Sequence, residues 1–247
     1  MNLKELQDNW NRFADTDPLW SILADGGKRG NRWQIDEFFQ TGEAEVAALM
    51  EYLDTLHISI KRSKALDFGC GVGRLTQALA KHFERTEGVD ISKSMIDLAD
   101  QYNRHRDRCR YTVNEADNLA LFDDNEFDFI CSFITLQHMK PLYAKGYINE
   151  VIRILKPEGI LVFQIPGERE LSLKNLLIGM MPPKLFGLVF QMVYRTDAVM
   201  QMNGIRREEL VEFLEEKGAV IMDIKEDGRA GKGWRDYQYV ATKRSPA

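Results

Sequence analysis

Cysteine is scarce in this chain. Of 247 residues only Cys70, Cys109 and Cys131 carry a thiol, with no C-x-x-C spacing among them, so neither a disulfide framework nor a zinc site is indicated. Positive charge is not in excess either. Lys and Arg total 33 against 38 Asp and Glu, a net charge of −5, which gives no general attraction to nucleic acid or to an anionic membrane surface. Long apolar runs are absent, so no membrane span is expected. The amino-terminal MNLKELQDNWNRF lacks the apolar core of a secretory signal. These absences favour a cytoplasmic protein with no nucleic-acid partner and no stable membrane insertion. The length suits one α/β domain of ordinary size with modest additions.

What stands out is ALDFGCGVGR, Ala65 to Arg74. Lys64 to Phe68 reads as a short buried parallel strand, and Leu75 to Phe83 has the apolar spacing of a helix. The glycines therefore occupy a strand-to-helix turn, where a Cβ would block positive φ and the close approach of backbone to ligand. A dinucleotide fingerprint needs a small residue where Arg74 stands. The spacing is instead G-x-G-x-G, with Asp67 two residues ahead of Gly69. A carboxylate beside such a loop suits a cationic ligand, and S-adenosylmethionine brings an ammonium and a sulfonium.

Further segments extend the pattern. The strand Arg85 to Asp90 ends in VDIS, where Asp90 is placed to accept from two ribose hydroxyls. Tyr111 to Glu115 reads as a strand running into Ala116-Asp117-Asn118. Phe127 to Ser132 is a near-continuous apolar strand followed by FITLQHM, and Leu155 to Pro166 leads through a turn into a fifth strand. On these residues the chain, from Lys64 to Arg244, resembles the class I S-adenosylmethionine-dependent methyltransferases. The resemblance implies a single Rossmann-like, doubly wound α/β sheet of about seven strands, mostly parallel with an antiparallel last strand. It also implies S-adenosylmethionine as cofactor, held by Asp67, Gly69, Cys70, Gly71 and Gly73 in the loop. Asp90, Ile91 and Met95 would follow the second strand, with Asp117 and Asn118 near the adenine amino group and Phe133 beyond the fourth strand.

Residues 1–62 precede the first strand and read as a helical cap on the methyltransferase domain, 63–247. Thr41 to Leu56 is expected as a helix with Thr41 as N-cap. Trp33, after the GGKRGN loop, is expected in a closing element over the cofactor and at the substrate pocket, with anchoring of the helices to the core as the alternative. A second addition, 167–204, is rich in Met, Leu and Phe and is broken by Pro182-Pro183. An insertion this long suggests a function: a substrate lid carrying Phe186, Phe190 and Tyr194, with a homodimer contact or extra core as alternatives.

His138, just past the fourth strand, is the expected catalytic base, with support of the pocket as the competing role. The segment CSFITLQHM has no N/D-P-P-Y/F/W motif for adenine or glutamine methylation and no carboxylate for a catechol-type metal site, so no metal is expected. The resulting expectation is methyl transfer to a small molecule, most simply a hydroxyl of a sugar, polyketide, quinol-like or lipid-linked metabolite. A catalytically silent cofactor-binding regulator is the alternative.

Overall fold

FDFICS, strand β4 (Phe127–Ser132), is buried at every residue, as required of a strand with neighbours on both sides and helices on both faces. β1 (Lys64–Phe68) and β5 (Leu155–Arg169) flank it in parallel. β2 (Arg85–Asp90) and β3 (Cys109–Val113) continue the sheet beyond β1, also parallel. On the far side β7 (Trp234–Lys243) inserts antiparallel between β5 and β6 (Ala219–Asp227). The order is β3-β2-β1-β4-β5-β7-β6. This is the expected doubly wound sheet with β7 as its antiparallel last strand. The strand order reverses between β1 and β4, so a crevice opens beyond their carboxyl ends, where ligands bind in such sheets. This computed structural model describes residues 1–170, 183–194, 196–231 and 233–245.

Helices α1 (Leu3–Thr16), α2 (Pro18–Ile22) and α3 (Ile35–Thr55) precede the sheet. α1 starts in a capping box, with Asn2 accepting from the Glu5 amide and Glu5 reaching back to the Asn2 amide. α3 begins seven residues earlier than the Thr41 cap would place it, with Gln34 at the cap position. Asp36 and Glu37 in its first turn complement the helix dipole, while Phe38 and Phe39 are buried. Thr41 is not a cap: its hydroxyl donates within the helix to the Phe38 carbonyl at 2.6 Å.

The remaining described helices are α4 (Arg74–Leu79), α5 (Lys93–Tyr102), α6 (Pro141–Ile154), α7 (Pro183–Tyr194) and α8 (Arg207–Glu216). α3 and α4 cover one face of the sheet through Val46, Leu53, Leu79 and Val162. α6 and α8 cover the other through Ile148, Val151, Leu210 and Phe163. A third cluster, with Phe13, Trp20, Trp33 and Phe38, holds the amino-terminal helices together. Within 167–204, the stretch 171–182 and residue 195 lie outside the described residues. The chain returns from α7 with the Val199 amide on Asn9 Oδ1 at 2.9 Å and the Asn203 amide on the Gln137 carbonyl at 2.7 Å.

Candidate active site

The loop after β1 takes its shape from backbone bonds and from glycine. The amides of Gly69 and Cys70 both donate to the Val89 carbonyl, at 2.8 and 3.1 Å. Gly69 and Gly71 have φ of 79° and 53°, values that favour glycine. A Cβ on Gly71 would stand 2.6 Å from Ile22 Cδ1, and one on Gly69 would collide with Thr135. The loop is therefore closed in by the cap on one side and by the segment after β4 on the other.

Beside it opens a cleft at the β1/β4 crevice. Its floor is polar. Asp67 is buried and accepts from the Thr76 hydroxyl at 2.7 Å. Burial pushes its carboxyl up to about 6, against the pull of Thr76 and Arg74. Asp90 accepts the Gly71 amide on one oxygen and the Ser92 amide on the other, each at 2.9 Å. Burial also raises its pKa, opposed by those amides. Each carboxylate oxygen keeps acceptor capacity. Asn114 lines the floor and donates to the carbonyls of Ala116 and Asn118 at 3.3 and 2.8 Å. The opposite wall is apolar, formed by Leu3, Leu6 and Trp10 of α1, Ile22 of α2, and Met139. α1 is fastened over the cleft: Gln7 Nε2 donates to the Ile91 carbonyl at 3.2 Å and to Glu115 at 2.5 Å.

Of the residues expected at the cofactor, Asp67, Gly69, Cys70, Gly71, Asp90, Ile91 and Phe133 line this cleft. Gly73, Met95, Asp117 and Asn118 do not. Gly73 is the left-handed N-cap of α4 and leaves room for the Tyr111 hydroxyl behind the loop. Met95 is buried in the amino-terminal cluster. Asp117 and Asn118 are exposed or half-exposed on the loop that Asn114 gathers in.

The substrate and catalytic expectations meet a different arrangement. Trp33 packs on Phe38 at 5.7 Å between centroids and donates to the Leu23 carbonyl at 3.2 Å; it does not reach the cleft, and Trp10 stands there instead. Phe190 packs at the edge of the amino-terminal cluster. The side chains of Phe186 and Tyr194 lie outside the described residues. His138 is 2% exposed and sits behind the cleft wall. Its Nδ1 bonds the Gln201 carbonyl at 2.9 Å, which makes Nδ1 the donor and leaves Nε2 to accept from Gln137 Nε2 at 3.3 Å. Burial pulls its pKa down to about 4. Both ring nitrogens are engaged by protein groups, and burial keeps the ring neutral near pH 7.

Sequence reasoning missed the α1 wall. The spacing of Leu3, Leu6, Trp10 and Phe13 marks an apolar helix face, but spacing does not say what that face covers.

Fold, loop and floor define a nucleotide-type cofactor site of the methyltransferase kind, and comparison with known proteins agrees. Residues 66–163 match the family described as "Methyltransferase domain". The chain is similar to a ubiquinone biosynthesis O-methyltransferase of Coxiella burnetii, 28% identical over 179 residues that cover 71% of this chain and 70% of that protein. It is also similar to a demethylmenaquinone methyltransferase of Staphylococcus haemolyticus, 34% identical over 111 residues covering 43% and 44%. Among solved structures, the magnesium protoporphyrin IX methyltransferase of Synechocystis with bound S-adenosylhomocysteine superposes with a TM-score of 0.65 at 17% identity, covering 98% of this chain and 99% of that one. The chain is a class I S-adenosylmethionine-dependent methyltransferase.

The floor fits that cofactor. Asp67 would be the carboxylate available to the cationic head group, Asp90 has acceptor capacity for ribose hydroxyls, and Gly69 and Gly71 leave the space that a Cβ would fill.

Proposed function

We propose that the protein methylates a hydroxyl of a small, largely apolar acceptor, with a quinol-type or other phenolic ring as the favoured class. The observation that carries this reading is the apolar wall of Leu3, Leu6, Trp10, Ile22 and Met139 facing the polar cofactor floor. A flat, apolar ring between them buries its faces, each Å² contributing roughly 25 cal/mol. Residues 1–62 then act as a cap and 63–247 as the transferase body. The names of the ubiquinone and menaquinone relatives support a quinol-type ring, and that of the ubiquinone relative specifies transfer to oxygen.

When bound, the cofactor supplies an electrophilic methyl group on sulfur. The protein's own part is to place the acceptor oxygen in line with it, and such positioning is worth up to about 7–11 kcal/mol. Among the described residues, no histidine or lysine lines the cleft. The Tyr147 hydroxyl is committed to the Ala116 carbonyl at 2.5 Å. A site with so little base suits an acceptor whose own hydroxyl is acidic, as a phenol is at about pKa 10, better than an aliphatic alcohol.

The test is to incubate the protein with methyl-labelled S-adenosylmethionine and, in parallel, demethylated quinols, simple phenols and sugars. Label in the quinol or phenol fraction is expected. Label confined to sugars, protein or RNA would overturn the reading.

A further inference from the structure

β5 runs buried from Ile160 to Ile165 with one polar side chain in that run, Gln164. It is 0% exposed, an unfavourable place for an amide unless its polar atoms find partners. Both ends do. Oε1 accepts the Ile134 backbone amide at 3.2 Å, while Nε2 donates to Asp236 Oδ2 at 2.9 Å and to Gln137 Oε1 at 3.2 Å. The two ends cannot be exchanged, because a backbone N–H only donates and a carboxylate accepts. Asp236 therefore fixes which end of Gln164 meets Ile134, and Asp236 is itself held by the Ala230 amide at 3.1 Å.

The residue held in this way has an unusual backbone. Ile134 has a φ of 56°, in the left-handed region that a β-branched side chain avoids. Such a conformation persists where surrounding bonds impose it. Its neighbours are clamped as well. The Arg229 guanidinium lies over the Phe133 ring at 4.5 Å, and the Thr135 hydroxyl donates to the Phe133 and Gly69 carbonyls at 3.0 and 3.3 Å. Phe133, Ile134 and Thr135 all line the cleft. The turn at Ile134 thus sets the course of this stretch of wall.

We propose that Gln164 is a positioning residue for the acceptor: by holding the Ile134 amide it keeps the turn that shapes the wall from Phe133 to Thr135. It acts through Ile134 and is itself sealed from the cleft. This rests on the acceptor reading above. The carboxylates and glycines of the cofactor floor come from β1, β2 and the loop after β1. Gln164 and Asp236 belong to β5 and β7, on the other side of β4. That half of the crevice is the one left to the acceptor.

Steady-state kinetics on the full chain, with methyl-labelled S-adenosylmethionine and a demethylated quinol, tests Gln164→Met in two backgrounds, the wild type and Ile134→Gly. Alone, Gln164→Met should lower acceptor kcat/KM about tenfold to a hundredfold, the range for stranding a buried donor. Most of that loss should lie in acceptor KM, with S-adenosylhomocysteine affinity changed less than about twofold. Glycine takes up the left-handed turn unaided, so in the Ile134→Gly background the same substitution should lower kcat/KM less than about threefold. Equal losses in the two backgrounds would show that Gln164 only supports the fold, and would overturn the proposal. Amide exchange followed by NMR gives a readout free of activity. The Ile134 amide should be protected in the wild type and exchange at least about tenfold faster in Gln164→Met, with the amides of β1 unchanged. Exchange of the wild-type Ile134 amide at the rate of an exposed loop overturns the proposal even if Gln164→Met does not fold. A wild type that methylates neither the quinol nor a phenol would instead defeat the acceptor reading, and the exchange of Ile134 would still decide whether Gln164 holds the turn.

Discussion

Trp10 of the cap meets His138 edge-on, with 5.3 Å between ring centroids. The histidine therefore touches the back of a side chain that lines the cleft and does not itself face substrate. Replacing His138 by Ala removes this contact and strands the Gln201 carbonyl and the Gln137 amide. A loss of about 2–4 kcal/mol of stability is expected, read as a lowered urea midpoint. Turnover should fall through a raised acceptor KM, and kcat should show no histidine-like inflection between about pH 6 and 8. A kcat reduced a hundredfold or more at unchanged KM and unchanged midpoint would return His138 to the role of base.

Two buried groups set opposite pH slopes on the stability of the cofactor-free protein. His138 falls from 6.5 to about 4. Between those values the unfolded chain binds a proton that the folded chain does not, so its contribution grows as pH rises. Asp67 climbs from 3.8 to about 6. Between those values the folded chain holds the extra proton, so its contribution shrinks as pH rises. Each slope approaches about 1.4 kcal/mol per pH unit, and they cancel between about pH 4 and 6. Relative to the wild type, Asp67→Asn should gain stability as pH rises from about 4 to 6, whereas His138→Gln should lose it from about 4 to 6.5. Parallel pH profiles for both variants and the wild type, in chemical denaturation, would contradict these shifts.

Asp90→Asn keeps the shape of the side chain but gives up the charge and one acceptor oxygen. The amides of Gly71 and Ser92 lose part of their anchor. Cofactor affinity should drop about tenfold to a hundredfold, measured by calorimetry, with the melting temperature little changed. Undiminished affinity would show that the ribose is held elsewhere.

The two tryptophans of the amino-terminal region should separate cleanly. Trp33→Ala empties a packed cluster and should cost about 3–5 kcal/mol of stability, with acceptor KM unchanged in the protein that remains folded. Trp10→Ala should cost less stability and raise acceptor KM, because Trp10 lies on the cleft wall. Steady-state kinetics beside thermal melts would expose the reverse assignment.

The sheet and the glycine loop were legible because their determinants are local. A buried strand must be apolar along its length, as in FDFICS, and a turn that approaches a ligand must be glycine. Positions at the loop and at the strand ends, such as Asp67 and Asp90, followed from the same geometry. The cap was not legible in this way. Trp33 follows a glycine-rich loop and so suggested a moving element, yet Phe38 and the Leu23 carbonyl fix it. The start of α3 was missed because Gln34 makes no side-chain cap, whereas Thr41 looked like one. Asp117 and Asn118 were named where Asn114 lines the cleft, since the loop path after β3 is decided by the hydrogen bonds of the Asn114 side chain and not by any periodicity.

One helix serves both halves of the cleft. α1 presents Leu3, Leu6 and Trp10 to the apolar wall, while its Gln7 holds the Ile91 carbonyl beside the cofactor floor. A displacement of this helix would therefore act on the apolar wall and on the Ile91 end of the floor together.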